Sequence, residues 1–261
     1  MLKEYKVFKD PATKIERVEY FDEHWYKIDG EWYPSVSKVL GEISKGFGFE
    51  QWLRNTGSES KIIAREAADS GSKLHNAIEL MLYGNALNME QDNGYTKLEW
   101  KKLNSWLNWY SELKIEPLGS ELMVYSKLMG IAGTLDHPCV IYGEVWILDW
   151  KTGNNIYDSS NLQVASYFMM YNAMIKAGII DYPVATRAGI VHIGAKNKTF
   201  KDLNAPGIKL VELDVEKESK VFQSALEIYK WRNPNAKPPM IEYDYELKLD
   251  KKQTIETTKE N

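Results

Sequence analysis

The sequence predicts an α/β fold, in which a central mixed β-sheet is flanked by helices, with a helical N-terminal half and a small N-terminal β-hairpin. Three observations favour this class. Residues 49–115 have helical patterning, the residues after 117 have mostly strand patterning, and two further helices interrupt those strands. The length of 261 residues suits one domain. We assign residues 1–250 to it, with an N-terminal hairpin and helical part (1–116), a sheet-rich core (117–250) and a flexible tail (251–261).

Composition limits the function classes. With 44% hydrophobic and 27% charged residues, the chain is of ordinary globular type, and no apolar run is long enough to span a bilayer. The first residues lack the apolar segment of a secretory signal, so we expect a cytoplasmic protein without a membrane partner. Cys139 is the single cysteine, which excludes an intramolecular disulfide and a four-cysteine metal site. The net charge of -4 means that nucleic-acid binding would need a local basic surface.

The N-terminal half begins with strands and continues with helices. Residues 15–33 have short strand patterns, and Asp29-Gly30 is a strong hairpin-turn signal. Ser35 is a suitable N-cap for the short helix that follows. We expect the helical region to be broken at four places: Gly57, Asp69-Ser70-Gly71, Gly84 and Gly94. A break after Ser70-Gly71-Ser72 would put His75 in the opening turns of its helix.

The second half alternates strands with two helices. Turns at Met129-Gly130 and Tyr142-Gly143 join three apolar segments into an expected antiparallel run: ELMVYSKL, IAGTLDHPCVIY and EVWILDWK. A helix is expected from about Ser160 to Lys176, with Gly178 at its C-cap. The remaining core elements are the strands RAGIVHIGAK and GIKLVELD and the helix EKESKVFQSALEIYKWR. Residues 241–250 alternate apolar and charged side chains, which indicates an edge strand or a subunit contact.

Charged residues occur inside the apolar strand EVWILDWK. Side chains alternate across a strand, so Asp149 and Lys151 project to one face and the tryptophans to the other. If the preceding strand pairs through the turn near Gly143, Asp136 lies opposite this pair. Two neighbouring carboxylates repel each other, and burial raises their pKa values, unless a cation lies between them. Carboxylate oxygens suit Mg²⁺ or Mn²⁺, whose remaining positions stay open to water and substrate phosphate.

Further polar residues fall near these strand ends. Gln163 and Tyr167, at i and i+4, share one face of the next helix. His75 and Glu79 lie one helical turn apart, and Glu121 heads the first strand of the sheet. Each has a simpler reading: a capping or core histidine, helix-surface charges, and ordinary packing of a helix on the sheet. His137 and His192 are expected to be structural.

The order of these residues resembles the RecB-type branch of the PD-(D/E)XK nucleases. The matching series is His75, Glu121, Gly133-Thr134-Leu135-Asp136, Asp149-Trp150-Lys151-Thr152-Gly153, and Gln163 with Tyr167. The segments YPSVSKVL, FEQWLRNTG and SGSKLHNAIE are also similar to phage exonucleases and mitochondrial genome maintenance exonucleases of this branch. The resemblance covers roughly residues 30 to 200. Asp-x-Lys alone is common by chance, whereas the combined order is specific.

The resemblance implies a restriction-endonuclease-like core and a set of site residues. It implies metal ligands in His75, Asp136, Asp149 and the backbone carbonyl of Trp150, a catalytic Lys151, and a supporting, DNA-contacting pair in Gln163 and Tyr167. Glu121 is either an outer-shell residue of the site or a strand-end charge. Leu135 replaces the proline usual before the first aspartate. The four cysteines that hold an iron–sulfur cluster in some relatives are missing, so no such cluster is expected.

The implied function is Mg²⁺- or Mn²⁺-dependent hydrolysis of DNA that leaves a 5′-phosphate, in the cytoplasm of a bacterial or phage-infected cell. An exonuclease that acts on single-stranded ends, in recombination, repair or replication, is favoured. The helical N-terminal half would then cover the site. Lys73, Arg65 and Lys196 are weaker candidates for phosphate contacts, and Trp25, Trp32 and Trp52 for base stacking or for packing.

Three alternatives remain. The first is a structure-specific endonuclease with the same chemistry, and the second is a non-catalytic DNA-binding subunit with the same fold. Retention of Asp136, Asp149 and Lys151 argues against the second. The third, a small-molecule enzyme that uses the carboxylates as acid and base, is disfavoured because the sequence has no Gly-rich phosphate loop.

Overall fold

The computed structural model describes residues 2–3, 5–10, 13–20, 23–43, 46–90, 94–238 and 242–243. These residues form a mixed α/β structure of thirteen strands and six helices. The strands are β1 (Leu2–Lys3), β2 (Tyr5–Lys9), β3 (Glu16–Tyr20), β4 (Glu23–Ile28), β5 (Glu31–Pro34), β6 (Glu116–Pro117), β7 (Leu122–Ser126), β8 (Ile131–Leu135), β9 (His137–Ile141), β10 (Glu144–Lys151), β11 (Arg187–Ile193), β12 (Ile208–Glu212) and β13 (Glu242–Tyr243). The helices are α1 (Val36–Leu40), α2 (Phe47–Thr56), α3 (Glu59–Leu82), α4 (Lys97–Glu112), α5 (Asp158–Lys176) and α6 (Val215–Arg232).

An antiparallel sheet in the order β2-β3-β4-β5 stands at the N-terminus. The predicted turn at Asp29-Gly30 is confirmed, since both residues have positive φ angles, 50° and 88°, and Ile28 pairs with Glu31. Positive φ angles at both central residues define the turn type whose twist matches that of the strands in a two-residue hairpin. The sheet is larger than the predicted small hairpin: β3 falls within the predicted strand region 15–33, whereas β2 lies outside it. Ser35 caps α1 as expected, accepting a hydrogen bond from the Lys38 amide at 3.2 Å.

A five-stranded mixed sheet, in the order β12-β11-β10-β9-β6, forms the centre of the molecule. Strands β10 and β11 are parallel, and the other neighbours are antiparallel. The predicted turn at Tyr142-Gly143 joins β9 to β10. Strands β7 and β8 pair with each other in a separate two-stranded sheet.

The prediction that IAGTLDHPCVIY forms one strand was wrong, because this segment divides into two strands at Asp136. The first part, β8, pairs with β7, and the second part, β9, pairs with β10. If the β9–β10 register continued, Leu135 would pair with Trp150. Instead, the Trp150 amide donates a hydrogen bond to the Asp136 side chain at 2.7 Å. The amide therefore has a partner although no strand pairs with it there, and β8 can turn away from β10.

Helices cover both faces of the central sheet. Trp146, Leu148 and Trp150 pack in a cluster with residues of α3 and α4. Ile147 faces the opposite cluster, which contains buried residues of α5 and α6. The predicted alternation along β10 is therefore confirmed. The end of α5 at Lys176, with Gly178 just beyond at φ 66°, also agrees with the sequence.

The predicted break at Asp69-Ser70-Gly71 is absent, because α3 runs without interruption from Glu59 to Leu82. His75 therefore lies in the second half of a long helix, which corrects its expected place in the opening turns. Glycine inside a helix costs about 1 kcal/mol relative to alanine. The burial of Leu74, Ala77 and Ile78 of α3 in the core offsets that cost. Gly71 also lacks room for a side chain, since a Cβ there would lie 3.3 Å from the Thr152 hydroxyl oxygen. Gly57 and Gly84, in contrast, do follow helix ends.

The chain termini are described only in part. In the predicted strand at 241–250, the described residues Glu242–Tyr243 pair antiparallel with β1. The rest of that strand and the predicted tail at 251–261 lie outside the described residues. Within the described ranges, no helix combines the length and the apolar content that crossing a bilayer requires.

Glu99 joins α3 to α4 beneath the sheet end. Its carboxylate accepts hydrogen bonds from the Thr96 amide at 2.8 Å and from the Ser70 hydroxyl at 2.7 Å, and it pairs with Lys73 at 3.3 Å. Thr96 and Glu99 together form a capping box at the start of α4. Burial alone would raise the pKa of Glu99, but the hydrogen bonds outweigh burial and lower the pKa to about 2.

We expect Glu99→Ala to lower the free energy of unfolding by about 2 kcal/mol, because it leaves several partly buried donors without their acceptor. The pKa of Glu99 is lower in the folded chain than in the unfolded one. Its stabilisation is therefore present above the ordinary carboxyl pKa of 4.5 and is lost as pH falls toward about 2. Urea unfolding followed by tryptophan fluorescence measures both effects. Exposed Glu227→Ala is the matched control, and equal effects of the two variants would contradict the assignment.

Candidate active site

A cleft of about 810 Å³ opens at the end of β8, between α3, α5 and the N-terminal sheet, and Asp149 and Lys151 of β10 are not part of its lining. Its lining includes most of the residues that the sequence singled out: His75, Glu79, Glu121, Asp136, Gln163 and Tyr167. Elements from both halves of the chain supply them, so residues 1–116 are part of the site and not only a cover over it.

His75, Glu121 and Asp136 form the acidic centre of the cleft. One ligand atom from each, a ring nitrogen or a carboxylate oxygen, lies within 4.8 Å of the others. Asp136 Oδ2, which accepts the Trp150 amide, is 3.5 Å from His75 Nδ1. This spacing is short enough for one ion to contact all three groups.

The Trp150 carbonyl orients His75. His75 Nε2 hydrogen-bonds to this carbonyl at 3.0 Å. The tautomer with hydrogen on Nε2 donates to the carbonyl and leaves the Nδ1 lone pair directed at the acidic centre. A histidine that ligates a metal commonly donates its other ring hydrogen in this way. The predicted role of the carbonyl as a metal ligand stays a prediction.

Glu121 adopts a left-handed backbone conformation, with φ 51°. This conformation is unfavourable for a residue with a side chain and concentrates at functional sites. The Glu121 amide donates to the Asp136 carbonyl at 2.9 Å, which fixes the two acids side by side. Burial, followed by the charges of Asp136 and Glu79, raises the pKa of Glu121 to about 8.

Asp149 and Lys151 form an ion pair beside the acidic centre. Asp149 Oδ2 lies 2.5 Å from Lys151 Nζ. Among the described residues, neither oxygen of the buried Asp149 carboxylate has a hydrogen-bond partner apart from this ion pair. Burial raises the pKa of Asp149 to about 6, although Lys151 opposes the shift. For Lys151, burial acts to lower the pKa, but the charges of Asp149 and Asp136 prevail and raise it.

Helix α5 holds the free side of Lys151. Lys151 Nζ donates to Gln163 Oε1 at 3.1 Å, and Gln163 Nε2 donates to the Tyr167 hydroxyl at 3.0 Å. Gln163 and Tyr167 thus lie over the strand end, as their spacing predicts. Because Lys151 is fixed from two sides, its ammonium group is held in one place between Asp149 and Gln163.

Gly133 explains how Tyr167 reaches this position. A Cβ on Gly133 would lie 2.5 Å from Tyr167 Cε1, closer than any real contact allows. The glycine of the Gly-Thr-Leu-Asp segment therefore admits the tyrosine ring against β8. On the neighbouring residue, the Thr134 hydroxyl hydrogen-bonds to the Tyr26 hydroxyl at 2.9 Å, which ties the N-terminal sheet to β8.

The three predicted phosphate contacts have different surroundings. Lys73 donates to the Gly94 carbonyl and pairs with Glu99, so it has a structural role between α3 and α4. Arg65 is exposed on α3, and Lys196 is exposed after β11. DNA contacts by all three remain predictions.

His137 is a structural histidine, as expected. It is fully buried and hydrogen-bonds to the Gly119 carbonyl at 2.7 Å and to the Tyr110 hydroxyl at 3.1 Å. Burial lowers its pKa to about 4, so the ring is neutral near pH 7.

Arg17 and His24 are cleft residues that sequence reasoning missed. They lie on β3 and β4 and line the same cleft as the acidic centre. Arg17 pairs with Glu19 at 3.1 Å and stacks over the Phe8 ring at 4.8 Å. No spacing rule connects an N-terminal hairpin with a strand more than a hundred residues later. The Tyr26–Thr134 contact that joins them is visible only in the fold.

The donor set fits a hard divalent cation. Two carboxylates and one imidazole converge, and the Asp149 carboxylate lies near them, a set that suits Mg²⁺ or Mn²⁺ better than a soft metal. Asp149 fits the same interpretation, because among the described residues its buried carboxylate has Lys151 as a partner at Oδ2 and no partner at Oδ1. Comparison with protein-family models and with curated proteins gives no match. The function is therefore inferred from the residues of the site.

We expect the affinity for Mn²⁺ to rise between about pH 6 and pH 8. Asp149, with a pKa of about 6, and Glu121, with a pKa of about 8, are protonated below those values, and protons compete with the cation. Isothermal titration calorimetry in two buffers of different ionisation enthalpy measures both affinity and proton release. Glu121→Gln should remove the upper part of the rise, whereas exposed Glu116→Gln should not. An affinity that does not change with pH would contradict the assignment.

We expect Gly133→Ala to displace Tyr167 and to destabilise the protein by about 1–3 kcal/mol through overpacking. The displaced ring would release Gln163 from Lys151. Gly119→Ala is the matched control, because a Cβ there would be 3.5 Å from Pro138, an ordinary contact. Thermal unfolding compares the two variants. Adding Tyr167→Leu to Gly133→Ala should restore stability, and failure to do so would contradict the steric explanation.

Proposed function

We propose that the protein is a Mg²⁺- or Mn²⁺-dependent DNA nuclease that hydrolyses phosphodiester bonds at the ends of single strands. The observation that supports this most directly is the convergence of Asp136, Asp149 and Lys151 at neighbouring strand ends. Asp136, which lines the cleft, accepts the amide hydrogen bond of Trp150, the residue between Asp149 and Lys151 on β10. A mixed sheet between helical layers, with these residues at its edge, is what a restriction-endonuclease-like core of the RecB type would provide. The expected roles in recombination, repair or replication belong to the same proposal.

The chemistry of the substrate accounts for the residue types. A phosphodiester is anionic, so its hydrolysis requires neutralisation of charge and a nucleophile near neutral pH. A cation held by His75, Asp136, Glu121 and Asp149 would supply a water of lowered pKa and positive charge for the phosphate. The acidic cleft has little positive charge of its own, and this makes the cation necessary for a phosphate to bind.

Lys151 is the residue best suited to act on the reacting groups. Asp149 and Asp136 keep it protonated, and Gln163 fixes its position. Its ammonium group can hold the attacking water and offset charge that develops on the phosphate oxygens. The water oxygen bonds to phosphorus while the bond from phosphorus to the 3′ oxygen breaks. The 3′ oxygen takes up a proton, and the 5′-phosphate remains on the other product.

The shape of α3 supports a preference for free ends. Residues 61–69 are exposed on all sides, so the first half of α3 projects beyond the packed layers. The second half contributes Gly71, His75 and Glu79 to the cleft. A helix that lines the cleft and extends past it would favour a strand threaded from an end. A structure-specific endonuclease is the alternative when threading is not required.

We expect wild-type protein to release nucleotides from end-labelled single-stranded DNA with Mg²⁺ or Mn²⁺, and a chelator to stop the reaction. Lys151→Ala should reduce the rate about a hundredfold or more, with fold and DNA binding retained. Lys176→Ala, an exposed lysine on α5, is the matched control. Single-stranded circles should resist cleavage, and rapid cutting of circles would favour the endonuclease. No cleavage of any DNA with either metal would refute the proposal.

A further inference from the structure

A second cavity of about 740 Å³ adjoins the catalytic cleft, between α1, α2 and the start of α5. We call it the apolar groove, and its wall residues are Leu40, Ile43, Phe49 and Leu53, with Ser37 and Gln163 at one end. Its volume lies in the range of small-molecule binding sites. Nothing in the reaction described above uses this space.

The apolar groove is continuous with the catalytic cleft. Ser37 and Gln163 line both cavities. Gln163 also accepts the hydrogen bond from Lys151. A molecule that occupies the groove at its Gln163 end therefore lies beside the catalytic lysine, within reach of a group being cut there.

Charge selects the kind of group that the groove can hold. Among the described residues of its wall, the single charged side chain is Glu50, which is acidic. The described wall residues therefore offer an anionic phosphate no cation to pair with, whereas their apolar side chains suit a neutral planar base. The apolar side chains offer contact to the faces of a base, and Ser37, Ser159 and Gln163 offer hydrogen bonds to its edges.

Aromatic packing holds the groove in shape. The Phe49 ring lies 5.5 Å from that of Trp52 and 6.0 Å from that of Tyr157, measured between centroids. These contacts join α2 to the residue before α5. Phe49 is therefore presented by a fixed cluster, and a rigid aromatic wall binds a base at low entropic cost.

We propose that the apolar groove binds an unpaired nucleobase of the strand being cut, next to the scissile phosphate. This inference rests on the proposed nuclease function and identifies the part of the substrate that this cavity recognises. A base in a duplex is stacked on both faces and paired along its edge, so it cannot enter the groove without being extruded. The groove thus gives the enzyme its preference for single strands.

The test compares groove variants with matched exposed residues elsewhere. Phe49→Ala and Leu53→Glu should each slow cleavage of single-stranded DNA about tenfold and leave the slow cleavage of duplex unchanged, because base stacking on the wall is lost. Phe200→Ala and Leu107→Ala are the controls, since both residues are exposed and neither lines the groove. If the ratio of single-strand to duplex cleavage rates is the same for groove and control variants, the proposal is overturned.

Abasic substrates locate the base directly. In a series of oligonucleotides, a single abasic site is placed at each position in turn. Wild-type protein should cut slowly the oligonucleotide in which the missing base is the one that would enter the groove, near the scissile bond. Phe49→Ala should lose this sensitivity, because the contact is already gone. Sensitivity that is the same in wild type and variant would overturn the proposal.

Binding without cleavage separates the two hypotheses. In the Lys151→Ala background, single-stranded DNA with 2-aminopurine at the sensitive position should change fluorescence on binding, and Leu53→Glu should weaken that binding. If groove variants weaken binding but no protein cuts DNA, base binding by the groove is supported and the nuclease function is refuted. If wild type cuts DNA and the groove variants behave as the controls do, only base binding by the groove is refuted. If DNA is neither cut nor bound, both hypotheses are refuted.

Discussion

The Trp150 backbone at the end of β10 is the constraint on which the site depends. In an antiparallel ladder, the N–H and C=O of one residue point to the same neighbouring strand. Continued register would supply both partners from Leu135, but β8 has turned away to pair with β7. The Trp150 N–H instead donates to the Asp136 carboxylate, and the Trp150 carbonyl accepts a hydrogen bond from the His75 ring. Two side chains therefore complete a main-chain ladder, and this requirement brings them to one place.

The electrostatic character of the site follows from that arrangement. Asp136 lies between Glu121, whose pKa is raised to about 8, and Asp149, whose pKa is raised to about 6. Among the residues that the structure describes, Lys151 is the cation paired with this group, and Asp149 and Gln163 hold it. Such an array is costly for stability, because neighbouring buried acids disfavour ionisation. The cost is consistent with a site arranged to receive positive charge rather than to stabilise the fold.

Much of this arrangement could be predicted from the sequence. The predictable features are local patterns: the alternation of Asp149 and Lys151 with the tryptophans, the turn at Gly143, and the i, i+4 spacing of Gln163 and Tyr167. Such patterns depend on neighbouring residues in the sequence and are therefore kept in the folded protein. The continuity of α3 was not predictable, because its helix-breaking signal at Gly71 is local, whereas Leu74, Ala77 and Ile78 hold the helix by packing in the core. The bend at Asp136 and the left-handed Glu121 depend on pairings between strands. The role of Arg17 depends on docking of a whole sheet, for which the sequence contains no spacing signal.

The hydrogen bond between Tyr26 and Thr134 joins the N-terminal sheet to the strand that leads into Asp136. Tyr26 is buried in the same apolar cluster as α5 and β8, so the sheet forms part of the wall behind the candidate site. A fragment that began at α1 would lose this wall and leave β8 facing water on that side. The described strands of the N-terminal sheet are thus internal scaffolding of the candidate site, and the sheet cannot be exchanged as an independent module.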